Sequence, residues 1–240
     1  MQLLDFTVQS NERIAKDTHQ LSIVNCQLSI APAPGQFVNL QIDGHFLRRP
    51  ISVCDWEDGT LTLIYKAVGQ GTAKLAAYQP GQHISVLTNL GNGYTIVDAQ
   101  RPLLIGGGVG VPPLYYLAKQ LIKADQKPVA LLGFNAEEDA FYGDEFAAIC
   151  ATKVVIKDYV TNAMANLDYN AIYACGPEPM LKAIYDQAKA LPPGHMQLSF
   201  EARMACGFGA CMACSCKTVT GYKRICKDGP VLTKEEILWQ

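Results

Sequence analysis

Pro102-Leu103-Leu104-Ile105-Gly106-Gly107-Gly108-Val109-Gly110-Val111-Pro112-Pro113 runs from an apolar stretch, through glycines, to a proline pair suited to a helix's first turn. A short, wholly apolar run is the mark of a strand covered on both faces. Glycines at its end let the chain turn sharply and bring a pyrophosphate against main-chain N–H groups at a helix start. Such turns also serve tight packing, so the surroundings have to decide. The pattern predicts a helix from Pro112 to Lys123. Further apolar runs follow at Pro128–Phe134, Lys153–Ile156 and Ala171–Cys175, with a short helix over Gly143–Cys150 and a longer one from Glu178 to Ala190. Strands alternating with helices predict a doubly wound parallel sheet.

Cys175-Gly176-Pro177-Glu178-Pro179-Met180 repeats the theme at another strand end leading into a helix. Ligands in such sheets bind at the carboxyl ends of the strands. Gly106, Gly107, Gly108 and Gly110, with Cys175, Gly176 and Pro177, therefore form a candidate nicotinamide-binding set. Cys175 is placed to approach the ring, although most strand cysteines are core packing. After Phe134-Asn135 comes Ala136-Glu137-Glu138-Asp139. Acidic residues there repel a 2′-phosphate and favour NADH, or they form a solvated surface.

Upstream, from about residue 3 to 97, the runs are shorter and alternate: Leu21–Val24, Gln36–Ile42, Leu61–Tyr65 and His83–Leu87. Turn residues at Ala33-Pro34-Gly35, Asp58-Gly59, Gln79-Pro80-Gly81 and Gly91-Asn92-Gly93 break them. This spacing predicts a small antiparallel barrel or sandwich.

Downstream, Leu191-Pro192-Pro193-Gly194 breaks the chain before a cysteine-rich tail, too short for a core of its own and expected to dock on its neighbours. Of nine cysteines, Cys26, Cys54, Cys150 and Cys175 are scattered and read by default as buried free thiols. The other five fall between 206 and 226. Cys206, Cys211, Cys214 and Cys226 give C-x4-C-x2-C followed by a lone fourth cysteine, the opening intervals of a plant-type [2Fe–2S] loop. Ala205, Gly207, Gly209, Ala210 and Ala213 let the backbone wrap closely and aim N–H groups at sulfur. The rival is structural zinc, which more often draws on two short cysteine pairs. Cys216 follows Cys214 too closely to share its side of the loop and reads as a bystander.

The 240 residues carry a net charge of −2, with 49% hydrophobic and 18% charged, as in ordinary globular proteins. That balance argues against a nucleic-acid-binding face. No apolar run reaches membrane-spanning length, and Met1-Gln2-Leu3-Leu4-Asp5 lacks the features of a secretory signal, so a cytoplasmic location is expected. His19, His45, His83 and His195 stand apart and read as surface or barrel residues. No paired carboxylates or activated nucleophile marks a pocket for an organic substrate.

Arg48-Arg49-Pro50-Ile51-Ser52, then Ile64-Tyr65-Lys66 and Gly69-Gln70-Gly71-Thr72, resembles the flavin-binding barrel of the ferredoxin reductase superfamily. An arginine can fork onto phosphate, and a serine hydroxyl can meet a flavin edge. With Gly91-Asn92-Gly93-Tyr94, the glycine loop, the Cys-Gly-Pro segment and Glu201 to Cys214 added in order, the chain resembles the iron–sulfur electron-transfer subunits of type B dihydroorotate dehydrogenases over essentially its full length. The resemblance implies an FAD-binding barrel over 1–98, an NAD-binding α/β domain over 99–196 and a [2Fe–2S] segment over 197–240. It implies FAD held by Arg49, Pro50, Ile51 and Ser52, by Ile64, Tyr65 and Lys66, and by Gly71 and Thr72, with NAD as exchangeable co-substrate. It further implies that dihydroorotate is oxidised on a separate FMN-containing catalytic subunit, in pyrimidine biosynthesis. Electrons would then pass through the cluster and FAD to NAD, in a heterotetramer of two of each subunit. The segment between Val155 and Leu167 is shorter than in relatives, which bears on the nicotinamide side. A free-standing NADH-dependent reductase for an oxygenase would share most motifs but carry a full ferredoxin domain. A module that kept the fold without the chemistry would be colourless.

Overall fold

Alternating apolar and polar residues close the N-terminal half on itself. In the computed structural model, which describes residues 1–25 and 30–239, the first six strands are β1 (Gln2–Ala15), β2 (Thr18–Val24), β3 (Phe37–Leu40), β4 (Arg49–Glu57), β5 (Thr60–Lys66) and β6 (His83–Leu90). They form a closed antiparallel barrel in the order β1-β2-β5-β4-β3-β6. Along β6 the residues turn alternately outward and inward, with Ile84 and Val86 inside among Phe6, Leu21, Val38 and Leu63. Each such side chain removed from water contributes roughly 1.5–3 kcal/mol. Helix α1 (Gln70–Ala76) lies between β5 and β6. Its two opening glycine positions, Gly69 and Gly71, hide it from a periodicity reading. Cys26 lies outside the described residues.

The second half builds a sheet from β7 (Pro102–Gly107), α2 (Pro112–Lys123), β8 (Val129–Phe134), α3 (Gly143–Ala147), β9 (Ala151–Ile156), α4 (Val160–Met164), β10 (Ala171–Cys175), α5 (Glu178–Ala188) and β11 (Met196–Ser199). After these come the hairpin strands β12 (Ser215–Thr218) and β13 (Gly221–Arg224), and then β14 (Val231–Thr233). The six-stranded order is β14-β11-β10-β7-β8-β9, parallel except for β14. Leu103, Leu104 and Ile105 are fully buried, as expected for a strand covered on both faces. The short segment after Val155 is filled by α4, whose Val160 packs so closely on Gly133 that a Cβ there would lie 2.6 Å away.

Two features depart from the sequence expectation. The proposed boundary between 196 and 197 falls inside β11, and β14 covers that strand from the other side. The tail therefore completes the nucleotide sheet, with Leu198, Ile225, Leu232 and Ile237 in a core shared with Leu103 and Ile172. The barrel and the sheet also share a core, in which Cys54 and Ile64 pack with Leu114, Leu117 and Tyr173.

Candidate functional site

The loop over residues 201–214 and the β12–β13 hairpin bring four cysteines together. The thiols meet as two pairs, Cys206 with Cys211 and Cys214 with Cys226, and Cys226 also feels the charge of Cys206. Main-chain N–H groups of Ala210 and Cys211 donate to Cys206 Sγ at 3.3 and 3.5 Å, and that of Cys226 to Cys214 Sγ at 3.4 Å. Burial raises the Cys206 thiol, but the N–H groups of Cys211, Phe208 and Ala210 and the Cys211 thiol outweigh it and bring it down to about 6. Burial, and then the neighbouring Cys214 and Cys206, push Cys226 up to about 12. A Cys226 thiol held protonated in this way would release its proton on binding a positive centre. Two facing pairs suit a two-iron cluster better than one tetrahedral zinc. Cys214 and Cys226 are buried while Cys211 is exposed, so one pair lies inside and the other reaches the rim, beside exposed Phe208 and Met212. Cys216 sits on β12 opposite Lys223 and feels the charge of Cys214, but it is hydrogen-bonded to neither pair.

The flavin motif lies along β4. Pro50, Ile51 and Ser52 pair with Asn39, Val38 and Phe37 of β3. The Arg49 side chain crosses to α1, where a Cβ on Gly71 would lie 2.6 Å from its Nε. This bare glycine facing a guanidinium fits a phosphate that the arginine could fork. Nη1 of Arg49 donates to the Leu47 carbonyl. The hydroxyl of Thr72 is occupied as a helix cap, accepting from the N–H groups of Val68 and Gly69 at 3.1 and 3.2 Å. The side chains after β4 diverge: Ile64 enters the core between barrel and sheet, and Tyr65 enters the barrel, donating to Asn11 Oδ1 at 3.0 Å. Lys66 pairs with Asp139 at 3.1 Å. What Ile64 and Tyr65 offer a flavin is therefore main chain.

The two glycine motifs meet at the switch point of the sheet, where β7 and β10 are neighbours and the strand order reverses. Gly106 is in register with Cys175, and a Cβ on Gly110 would overlap the Cys175 carbonyl. Gly107 and Gly176 are both covered by Met180, and Pro177 closes on Gly107. Gly108 is open on its side. This crevice is where doubly wound sheets bind dinucleotides. Burial pushes the half-buried Cys175 thiol up to about 12, against a hydrogen bond from Ser199. The acidic turn has partners in the barrel. Glu138 pairs with Lys16, and Asp139 with Lys66, so two of its three carboxylates tie the sheet to the barrel.

Comparison with known proteins agrees with this geometry. Residues 201–238 match the family described as the iron–sulfur cluster binding domain of dihydroorotate dehydrogenase B. The chain is 42% identical to the dihydroorotate dehydrogenase B (NAD(+)) electron transfer subunit of Bacillus caldolyticus, over 97% of each chain. It is also 42% identical to the subunit of that name from Fusobacterium nucleatum subsp. nucleatum, over 99% of each. The chain belongs to the dihydroorotate dehydrogenase B electron transfer subunits. Among solved structures, an NADH-dependent reduced ferredoxin-NADP oxidoreductase, described for flavin-based electron bifurcation, superposes with a TM-score of 0.88. It is 29% identical, over 98% of this chain and 90% of that one. Phthalate dioxygenase reductase, 18% identical with a TM-score of 0.68 over 83% of this chain and 70% of its own, shares the fold. Membership of this family displaces the reading as a free-standing oxygenase reductase. Among the described residues, no helix is long and apolar enough to cross a membrane.

Several residues hold the site together through partners that the sequence does not reveal. Asn92 accepts from Val231 N–H at 3.0 Å and donates to Val231 O at 2.7 Å, clamping the tail to the barrel exit. Tyr94 reaches across the seam to donate to the Ala174 carbonyl at 3.0 Å, next to Cys175. Arg224 joins the cluster loop to the hairpin, donating to the Gly209 carbonyl at 3.0 Å and to Asp228 at 2.9 Å. Gly91-Asn92-Gly93-Tyr94 is one short string, but its partners lie far along the chain, and spacing alone does not reveal them.

Proposed function

We propose that this chain carries electrons from a catalytic dihydroorotate dehydrogenase partner, through a [2Fe–2S] cluster on Cys206, Cys211, Cys214 and Cys226 and an FAD, to NAD+. The observation that carries the reading is the seating of the cluster loop on β3, the strand hydrogen-bonded to the flavin-motif strand β4. Arg49 would hold the FAD pyrophosphate over Gly71. Pro50, Ile51 and Ser52 would line the ring, and the main chain of Ile64 to Lys66 with Gly71 and Thr72 would complete the cradle. The crevice of Gly106, Gly107, Gly108, Gly110, Cys175, Gly176 and Pro177 would receive NAD. Bound flavin supplies the exchange between two-electron hydride chemistry and single-electron transfer. The protein's own contribution is to align the cluster rim, flavin strand and nucleotide crevice in one rigid frame. Exposed Phe208 and Met212 beside Cys211 give the partner an apolar rim at the cluster.

The partner is expected to carry FMN and to assemble as a heterotetramer of two of each subunit in the cytoplasm. Three functional divisions, 1–98, 99–196 and 197–240, fit this route, although the last two share one sheet. The test is affinity purification from native lysate. Recovery of a dihydroorotate-oxidising subunit, with orotate formation coupled to NAD reduction, supports the reading. Recovery of an oxygenase, or of a colourless protein that releases no flavin on denaturation, defeats it.

A further inference from the structure

Asn39 stands on β3 with only 1% of its surface exposed, although its side chain is polar. Its partners across the strands are Pro50 on β4 and Leu87 on β6. Opposite residues share a face of the sheet, and Val38 and Leu40 take the inward positions. Asn39, Phe37, Pro50 and Ser52 therefore share the outer face, and on it lies the cluster loop. The Asn39 amide presses on the Cα of Gly207 so closely that a Cβ would overlap it, and Gly207 has φ +77, a backbone that other residues rarely adopt. Nδ2 of Asn39 donates to the main-chain carbonyl of Cys206 at 3.4 Å. The reverse orientation of the amide would set carbonyl against carbonyl. Arg48 steadies the strand, its Nη1 donating to the Asn39 and Ser85 carbonyls at 3.2 and 3.0 Å.

The other half of the amide, Oδ1, is buried without a donor. A half-satisfied amide is a poor filler for a buried seam, where a leucine of similar size would pack without that penalty. A leucine could not hold Cys206. We propose that Asn39 is a positioning residue for electron transfer. It seats the cluster ligand Cys206 against the flavin strand and so sets the separation and coupling of the two redox groups. This role rests on the electron-transfer reading above. The connection is short: the Cys206 carbonyl, the Asn39 amide, then Pro50 one strand away, about 5 Å across the ladder.

The test uses the purified chain with FAD and cluster bound, mixed anaerobically with NADH in a stopped-flow instrument. Flavin bleaching reports the hydride step, cluster bleaching reports the electron passed on, and the electron paramagnetic resonance spectrum of the reduced cluster reports its surroundings. In Asn39→Leu the hydride step should be unchanged. Transfer from flavin to cluster should slow, and the cluster spectrum should shift. Asn39→Asp, isosteric but without the donor when ionised, should behave alike. Variants that keep FAD and lose the cluster also support the proposal. Variants with an unaltered electron step and spectrum overturn it, as do variants that fail to fold or lose FAD, which would assign Asn39 to the barrel. If the unaltered protein shows no NADH-reducible flavin and cluster, the electron-transfer reading itself fails.

Discussion

Cys216 and Cys226 compete for the fourth ligand position, and their surroundings separate them. Cys226 is 1% exposed and paired with Cys214, whereas Cys216 lies on a hairpin strand opposite Lys223. Cys226→Ser should abolish the iron–sulfur absorption of the purified protein, and Cys216→Ser should keep it; the opposite pair of spectra would reverse the assignment. A second residue links the barrel to pH. His19 stacks on Tyr65 with ring centroids 5.6 Å apart, and its Nδ1 is buried without a partner. Burial, with a smaller push from Arg13, lowers its pKa below the ordinary 6.5. A depressed value favours the neutral ring, so its contribution to stability is present above about 6.5 and is lost as pH falls through the lower native value. Urea midpoints should therefore drop below pH 6 in the wild type and drop less in His19→Phe. Parallel acid limbs for the two proteins would remove His19 from the account. The spacing of the four candidate cysteines could be read directly from the chain. The unpartnered nitrogen of His19 could not, because it depends on which strand lies across from β2.

At the scale of elements, the acidic turn and the Asn92 clamp do the joining. Glu138 is fully engaged with Lys16 on an exposed surface, where a pair is worth about 0–1 kcal/mol. Asp139 and Lys66 are more sheltered. If these carboxylates serve as a bracket, Glu138→Gln with Asp139→Asn should leave the ratio of NADH to NADPH turnover within about twofold of wild type, because a selectivity carboxylate must face the ribose. A marked rise in NADPH use would restore the acidic turn as the selectivity element. Asn92→Ala removes the clamp on Val231 and Asp228. Leaving those buried groups unpaired costs roughly 1–3 kcal/mol, seen as about 2–4 °C of Tm for each kcal/mol in a chain of this size. Cluster loss on heating should precede FAD release; simultaneous loss would mean that the clamp does not act locally. The long elements were legible, with α2 found at Pro112–Lys123 as its proline pair and apolar stripe predict. The short ones were not. Helix α1 begins among glycines, α4 has five residues, and β14 has three, too few to display a period. Their existence follows from tertiary contacts that spacing does not encode.

For the whole molecule, the question is whether the cysteine tail is an appendage or part of the frame. Zinc- or cluster-held appendages can be cut away, and the remainder folds without them. Here Leu198 of β11, Leu232 of β14, and Ile225 and Ile237 around them are all buried in the core under α5. At roughly 1.5–3 kcal/mol for each side chain, those four together are comparable to the whole net stability of a typical domain, about 5–15 kcal/mol. A chain ending at residue 196 would also leave β10 as a bare sheet edge, with its main-chain groups unpaired. Such a truncation should therefore aggregate or unfold, and it should lose FAD along with the cluster. By contrast, full-length Cys206→Ser with Cys211→Ser should lose the cluster yet fold and retain FAD, because those thiols lie at the rim and outside the shared core. Circular dichroism and flavin content of the two proteins decide the matter. A soluble, yellow 1–196 fragment would show the tail to be separable and would place the joint of the electron route between domains. The expected outcome places that joint within one continuous core, which holds Cys214 and Cys226 and leaves only the Cys206 and Cys211 rim outside it.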